Sequence, residues 1–253
     1  MTAAARKPRG ALSKGPANST TSKAQPTISV SRAISDPQLF GRWFEGPSWD
    51  TWKAIIKGAY GEKMSDEEIA IFRSVADRDP PKQQVRELVV IAGRRSGKDS
   101  VASAIAASAA AFRNYKDVTR PGELASIMCL AVDKVQARIS LNYTRAYFAE
   151  VPMLKSLVVR ETADGLDLST GAAITVIPND FRTVRGRSIA LAVLDECGFW
   201  FGDESTSPDV ETFAALVPGM ATIPQSMLVM ISSPHRRSGL LYDKWKESPF
   251  ALL

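Results

Sequence analysis

Four stretches of this chain are apolar at nearly every position: 88–91 (LVVI), 125–132 (ASIMCLAV), 189–194 (IALAVL) and 226–231 (SMLVMI). Short runs of this kind, rich in β-branched residues and lacking polar alternation, predict strands buried on both faces, as in a parallel sheet. Segments of helical character separate them. An alanine-rich stretch, 100–107, follows the first run, and 133–150 follows the second, with Asp133 as its N-cap and Val151-Pro152 as its stop. Residues 208–217 and 239–245 read as two further helices. Between 156 and 177 the pattern changes to short strands at 156–161, 166–168 and 173–177, with turns at Asp164-Gly165 and Thr170-Gly171, a hairpin or meander attached to the main sheet.

Upstream, 36–79 reads as helical. Asp36-Pro37 has the form of a helix start. Ser48 is placed to cap a second helix, on which Trp52, Ile55 and Ile56 share a face, and Ser65 with Glu68 forms a capping box for a third that ends near Asp79-Pro80-Pro81. The alternation of buried strand and helix predicts an α/β fold with a mainly parallel central sheet flanked by helices, a β-rich insert and a helical N-terminal segment.

The polar residues that interrupt the apolar runs carry the chemistry. After 88–91 comes Ala92-Gly93-Arg94-Arg95-Ser96-Gly97-Lys98-Asp99-Ser100. Strand, tight Gly-containing loop and helix is the context of a P-loop, whose backbone N–H groups and helix N-terminus cradle phosphates while Lys98 reaches the β- and γ-phosphates. Against G-x-x-x-x-G-K-[ST], Ala92 stands in the first glycine's place and Asp99 where a hydroxyl would meet Mg²⁺. A carboxylate is also a hard-oxygen ligand, so Asp99 can take that role at the cost of negative charge beside the phosphates.

The third run ends in Asp195-Glu196 and the fourth in Ser232-Ser233-Pro234. In an open parallel sheet, ligands bind at the carboxyl ends of strands, so the three polar clusters are expected to meet in one place. An apolar run capped by Asp-Glu is a Walker B pattern, with Asp195 as metal ligand and Glu196 as general base toward water. About a hundred residues separate the two motifs, room for another strand between them. This predicts a P-loop NTPase of the class with an additional strand and a catalytic glutamate (ASCE-type). Positive charge for the γ-phosphate can come from Arg94 or Arg95 in the loop, or from Arg182, Arg185 or Arg187 before the second motif. Trp43, Trp49 and Trp52, clustered upstream of the loop, are core residues or a platform for an adenine ring.

Charge and composition narrow the partners. Six of the 32 basic residues and none of the 27 acidic ones fall in 1–35, so the net charge of +5 belongs to the N-terminal tail and the rest is close to neutral. That tail, rich in Ala, Ser, Thr and Pro, is expected to be disordered. No apolar run is long enough to span a membrane, and the N-terminus lacks a secretory h-region. The single histidine, His235, excludes a histidine-based metal site, and Cys129 and Cys197 read as reduced core thiols.

Taken together, the Arg-bearing loop Gly93–Lys98, the run ending Asp195-Glu196, Ser232-Ser233-Pro234 and the upstream Trp49-Asp50-Thr51-Trp52 resemble the ATPase domain of the large terminase subunit of tailed bacteriophages, over about residues 40–245. The resemblance implies an Mg²⁺- and ATP-dependent motor that translocates double-stranded DNA, with a homo-oligomeric ring docked on the portal protein of an empty capsid and a small terminase subunit as partner. The setting is the host cytoplasm, with no membrane. It assigns Arg94 as catalytic arginine, Ser232 and Ser233 to coupling of hydrolysis with movement, and the tryptophan segment, here without a glutamine, to the adenine. The family continues into a nuclease domain, for which 246–253 is expected to be only the start of a linker. The expected divisions are thus a tail over 1–35, a helical segment over 36–85 and a P-loop core over 86–245. Two other readings stay open: a helicase-like or other DNA-stimulated P-loop ATPase, and a truncated chain that binds nucleotide or partners without turnover.

Overall fold

The uninterrupted apolar runs become neighbours in a single sheet. The structure is a computed structural model and describes residues 26–200, 209–247 and 251–252. Helices α1 (Val30–Ser35), α2 (Asp50–Ala59) and α3 (Asp66–Ala76) precede strand β1 (Glu87–Ile91), helix α4 (Lys98–Ala111) and strand β2 (Ala125–Ala131). Helix α5 (Lys134–Glu150), the single turn α6 (Pro152–Lys155), strands β3 (Val158–Thr162), β4 (Gly165–Leu168) and β5 (Ala172–Pro178) and the short α7 (Phe181–Val184) follow. Strand β6 (Ile189–Asp195), helix α8 (Asp209–Ala221), strand β7 (Met227–Ser232), helix α9 (Leu240–Glu247) and strand β8 (Ala251–Leu252) complete the described chain.

The strand order is β3-β4-β5-β2-β6-β7-β1-β8. From β5 to β8 every pairing is parallel, while β3 and β4 extend the edge as an antiparallel hairpin. β7 lies between β1 and β6, the one-strand separation expected of the two motif strands. Side chains alternate across the sheet. Val90, Cys129, Val193 and Val229 join a core with α1, α2, α4 and α5, whereas Val89, Leu130, Leu194 and Met230 face Trp200, Leu216 of α8 and Leu241 of α9. Both faces are covered, which is why these strands carry no polar alternation.

Several local expectations hold. Asp133 caps α5 by accepting from the N–H groups of Val135 and Gln136, and Ser65 and Glu68 form a reciprocal capping box on α3. Others are corrected. The expected tail over 1–35 stops short of its boundary: Val30–Ser35 is helical, capped by Ser29, and buries Val30, Ala33 and Ile34. Thr27 N–H anchors this segment to the carbonyl of Phe112 (2.7 Å). The few apolar residues of 28–34 find an existing core to join, which compensates for poor local composition; 1–25 lie outside the described residues. Asp36 ends α1 instead of starting a helix, and its carboxylate accepts from Gln38 N–H. Ser48 caps nothing, because Pro47–Trp49 forms a 3-10 turn and α2 begins at Asp50 without a side-chain cap. Part of the expected linker over 246–253 belongs to the fold: α9 continues to Glu247 and Ala251–Leu252 pairs with Val89 and Val90 of β1. Of the expected helix 208–217, Pro208 lies outside the described residues and the helix extends to Ala221.

Candidate nucleotide site

The loop after β1 is shaped by two left-handed residues, Arg95 (φ 64°) and Gly97 (φ 81°). Gly97 is required twice over: a Cβ there would lie 2.5 Å from the Trp49 ring, and its φ is unfavourable for any side chain. Ala92 replaces the motif glycine without strain. Its N–H donates to the Ser232 carbonyl (3.0 Å), prolonging the β1–β7 ladder, and its methyl packs on the core. Gly93 is exposed, with open space where a Cβ would stand.

The tryptophans lie under this loop. Trp52 is buried, and its indole N–H donates to the carbonyl of Ser96 (2.7 Å). Trp49, half-buried, meets Phe44 edge-on at 4.7 Å between centroids and covers Gly97. Trp52, expected at the adenine, is only 6% exposed, with its ring packed in the core and its N–H on the loop.

Lys98, at the start of α4, is 7% exposed and directs its ammonium to Glu196 Oε1 (3.0 Å), with Asp99 Oδ1 at 3.9 Å. Glu196 sits at the end of β6 in a left-handed conformation (φ 51°), uncommon for a residue with a Cβ and costing on the order of 1 kcal/mol. That turn aims its carboxylate across the strand ends to β7. Ser233 N–H donates to Oε2 (2.8 Å) and Ser233 Oγ to Oε1 (3.0 Å). Ser232 Oγ lies 3.1 Å from Oε2 and also 3.1 Å from the Ser233 carbonyl, so its one proton serves either acceptor; it accepts from Gly198 N–H (3.2 Å). Burial alone would raise the Glu196 pKa, but hydrogen bonds from Ser233 and the Lys98 charge outweigh it and hold the carboxyl below the usual range.

Asp195 has the opposite electrostatics. It is 3% exposed, and burial together with the negative charges of Asp99 and Glu196 pushes its carboxyl up to about 7. One oxygen, Oδ2, is 3.5 Å from Ser140 Oγ of α5, while Oδ1 is buried without a hydrogen-bond partner. Asp99, half-buried, is likewise raised, by burial and by Glu196 against the opposing charge of Lys98. Three carboxylates therefore gather around one lysine, with a buried orphan oxygen among them. The Asp195 and Asp99 carboxylates are hard-oxygen donors of the kind a magnesium ion takes, and the orphan Oδ1 of Asp195 is open to such a ligand. Among the described residues no group of three or more Asp, Glu, His or Cys side chains is placed to hold a metal ion.

The arginines divide. Arg94 and Arg95 are exposed, with no hydrogen-bond or ion-pair partner among the described residues. Arg182 and Arg185 lie over the Phe181 ring, and Arg187 donates to the Thr183 carbonyl, so these three serve their own loop. Ser100 is half-buried and its carbonyl accepts from Tyr147 of α5 (3.1 Å). Sequence reasoning missed Ser140, which sits mid-helix without a motif, and Trp200, whose indole N–H donates to the Asp195 carbonyl (3.1 Å). Trp200 follows the acidic pair closely enough to have been noticed.

No protein-family model and no curated protein matches this sequence. Solved structures do align with it. The HK97 bacteriophage large terminase aligns with a TM-score of 0.52 at 19% identity, over 79% of this chain and 37% of that one. The Thermus phage P74-26 large terminase ATPase domain aligns at 0.39 and 18%, over 75% and 72%. S. cerevisiae Dbp5, in a structure with RNA and ADP BeF3, aligns at 0.42 and 16%, over 85% and 51%. The chain spans little more than a third of the HK97 protein. The α/β fold with a mainly parallel sheet, expected from the apolar runs, is met, and the likeness to the HK97 large terminase is one of fold.

Proposed function

We propose that this chain is an ATP-hydrolysing motor of the large-terminase type, using turnover of Mg·ATP to drive double-stranded DNA into a capsid. One observation carries the reading: the Glu196 carboxylate joins the phosphate loop, through Lys98, to the Ser232-Ser233 end of β7. The loop from Gly93 to Gly97 and the N-terminus of α4, with Ser96 and Ser100 at its two sides, receive the phosphates. A triphosphate offers Lys98 a more highly charged partner than Glu196, so the ion pair exchanges on binding. Glu196, held ionised by Ser233, is then free to accept a proton from the attacking water. Asp195 and Asp99 would hold Mg²⁺, which when bound neutralises charge on the phosphates. Arg94, exposed beside the loop, is the cation we assign to the γ-phosphate.

Because Ser232 and Ser233 hold the same carboxylate that must change partners, turnover is felt at the end of β7 and in the segment leading to α9. That is the basis for assigning them to coupling. A ring of copies on a portal protein, a small terminase subunit as partner and a site of action in the host cytoplasm follow from the same reading. Among the described residues no helix is long and apolar enough to cross a membrane.

The test is phosphate release by the purified chain with Mg²⁺, with and without double-stranded DNA and portal-bearing capsids. Turnover that requires Glu196 and is stimulated by DNA and portal is expected. Equal phosphate release by wild type and Glu196→Gln sinks the assigned chemistry, and turnover stimulated by duplex unwinding but not by capsids replaces packaging with a helicase-like role.

A further inference from the structure

The peptide that joins Asp195 to Glu196 is tied at both of its polar ends. Its N–H, that of Glu196, donates to the Ile231 carbonyl of β7 (2.8 Å), and its C=O, that of Asp195, accepts from the indole N–H of Trp200 (3.1 Å). The chain reverses at once through the 3-10 turn Cys197–Phe199. Phe199 N–H closes it on the Glu196 carbonyl (2.9 Å) and Trp200 N–H on the Cys197 carbonyl (3.2 Å). That reversal returns the Trp200 ring to the end of β6.

The indole is a fixed donor. Its residue is 2% exposed and belongs to the core that includes Leu194, Met230, Leu240 and Leu241. The turn itself is pressed on β7: Gly198 N–H donates to Ser232 Oγ (3.2 Å), and a Cβ on Gly198 would lie 2.8 Å from that oxygen and 3.0 Å from Leu241 Cδ2. Glu196, by contrast, holds its left-handed φ of 51° only because its surroundings impose it. Rotating the 195–196 peptide would relieve that backbone. It would also strip the Asp195 carbonyl from Trp200 and the Glu196 N–H from Ile231, leaving a buried indole N–H unpaired.

We propose that Trp200 is a positioning residue for Glu196, its indole N–H locking the left-handed turn that aims the Glu196 carboxylate at Ser233 and Lys98. Its effect on turnover rests on the function proposed above; its effect on the turn does not. Lys98, Ser232 and Ser233 hold Glu196 by the side chain, and the Lys98 contact is the one a nucleotide displaces. The indole holds the backbone from which that side chain springs, so it sets the direction of the base before and after Lys98 leaves. Proton transfer depends steeply on where the base stands, whereas phosphate binding by the loop and Lys98 does not pass through Trp200. Loss of the indole N–H therefore slows turnover and spares binding.

Trp200→Phe keeps an aromatic ring in the core and removes the donor. In steady-state phosphate release by the full chain, kcat is expected to fall about tenfold while KM for Mg·ATP stays within about twofold. The same substitution should cost nothing further in a Glu196→Gln background, because both act through one carboxylate. Amide hydrogen exchange reads the turn independently of catalysis. Protection of the Ser233 N–H, which donates to Glu196 Oε2, should drop about tenfold, with the Val229 and Met230 N–H groups inside β7 unchanged. Where turnover depends on Glu196, an unaltered kcat, a KM raised in step with the loss of kcat, or a loss that multiplies that of Glu196→Gln overturns the proposal. Unaltered Ser233 protection overturns it too, and so does protection lost equally along β7, which would make Trp200 an ordinary core residue. Equal phosphate release by wild type and Glu196→Gln overturns the proposed function instead, and Ser233 exchange then decides the role of Trp200 by itself.

Discussion

The Lys98 ammonium and the Glu196 carboxylate lie 3.0 Å apart at the carboxyl edge of the sheet, one at the start of α4 and the other just after β6. Both are withdrawn from solvent, and each is the other's principal charge partner. On the proposed function, a nucleotide that took Lys98 would release Glu196, making binding and the readying of a base one event.

Glu196→Gln separates the two. The amide has no charge to hold Lys98 and cannot take a proton, so phosphate release should fall by about 10²-fold or more. ATP affinity, measured by calorimetry, should equal or exceed that of wild type. Loss of ATP binding in this variant would show that the ion pair shapes the loop rather than guarding it.

Asp99 presents the metal question. Asp99→Ala should remove most Mg²⁺-dependent turnover, whereas Asp99→Ser, which restores the motif hydroxyl, should retain much of it. Full activity in the alanine variant would leave the ion to Asp195.

Ser232→Ala leaves the buried Gly198 N–H without its acceptor. A loss of about 1–3 kcal/mol in urea unfolding is expected. Ser233→Ala keeps the backbone N–H on Glu196 and should unfold close to wild type while slowing turnover.

Trp52→Phe distinguishes loop support from base recognition. Removing the indole N–H from Ser96 should weaken ATP and GTP alike, by about tenfold. A selective loss of ATP would return the residue to the adenine.

The α3 capping box gives an acid limb. Burial would raise the Glu68 pKa, but Lys57 and the Ser65 N–H lower it below the ordinary carboxylate value. A depressed folded pKa means that this contribution is full above the unfolded value and is lost as pH falls through the folded one. Glu68→Gln should therefore unfold more easily near neutrality and show a shallower loss in acid, read from thermal melts across pH.

The apolar runs were sufficient to locate the parallel strands, because a strand covered on both faces has no place for polar alternation, and Asp133 and Ser65 were legible as caps because capping is local. The gathering of Lys98, Glu196 and Ser233 was legible too, since strand ends in a parallel sheet share one edge. What neighbouring residues could not decide was everything set by distant packing. Val30–Ser35 is ordered because it meets the end of α4. Trp52 donates to Ser96 because α2 packs under the loop, and Ser140 reaches Asp195 because α5 packs on β2, the neighbour of β6. The opening pattern of runs and polar ends thus determined the fold and one edge of the sheet by itself. The tertiary structure alone decided which charges are buried, which are paired, and which atoms are left without a partner.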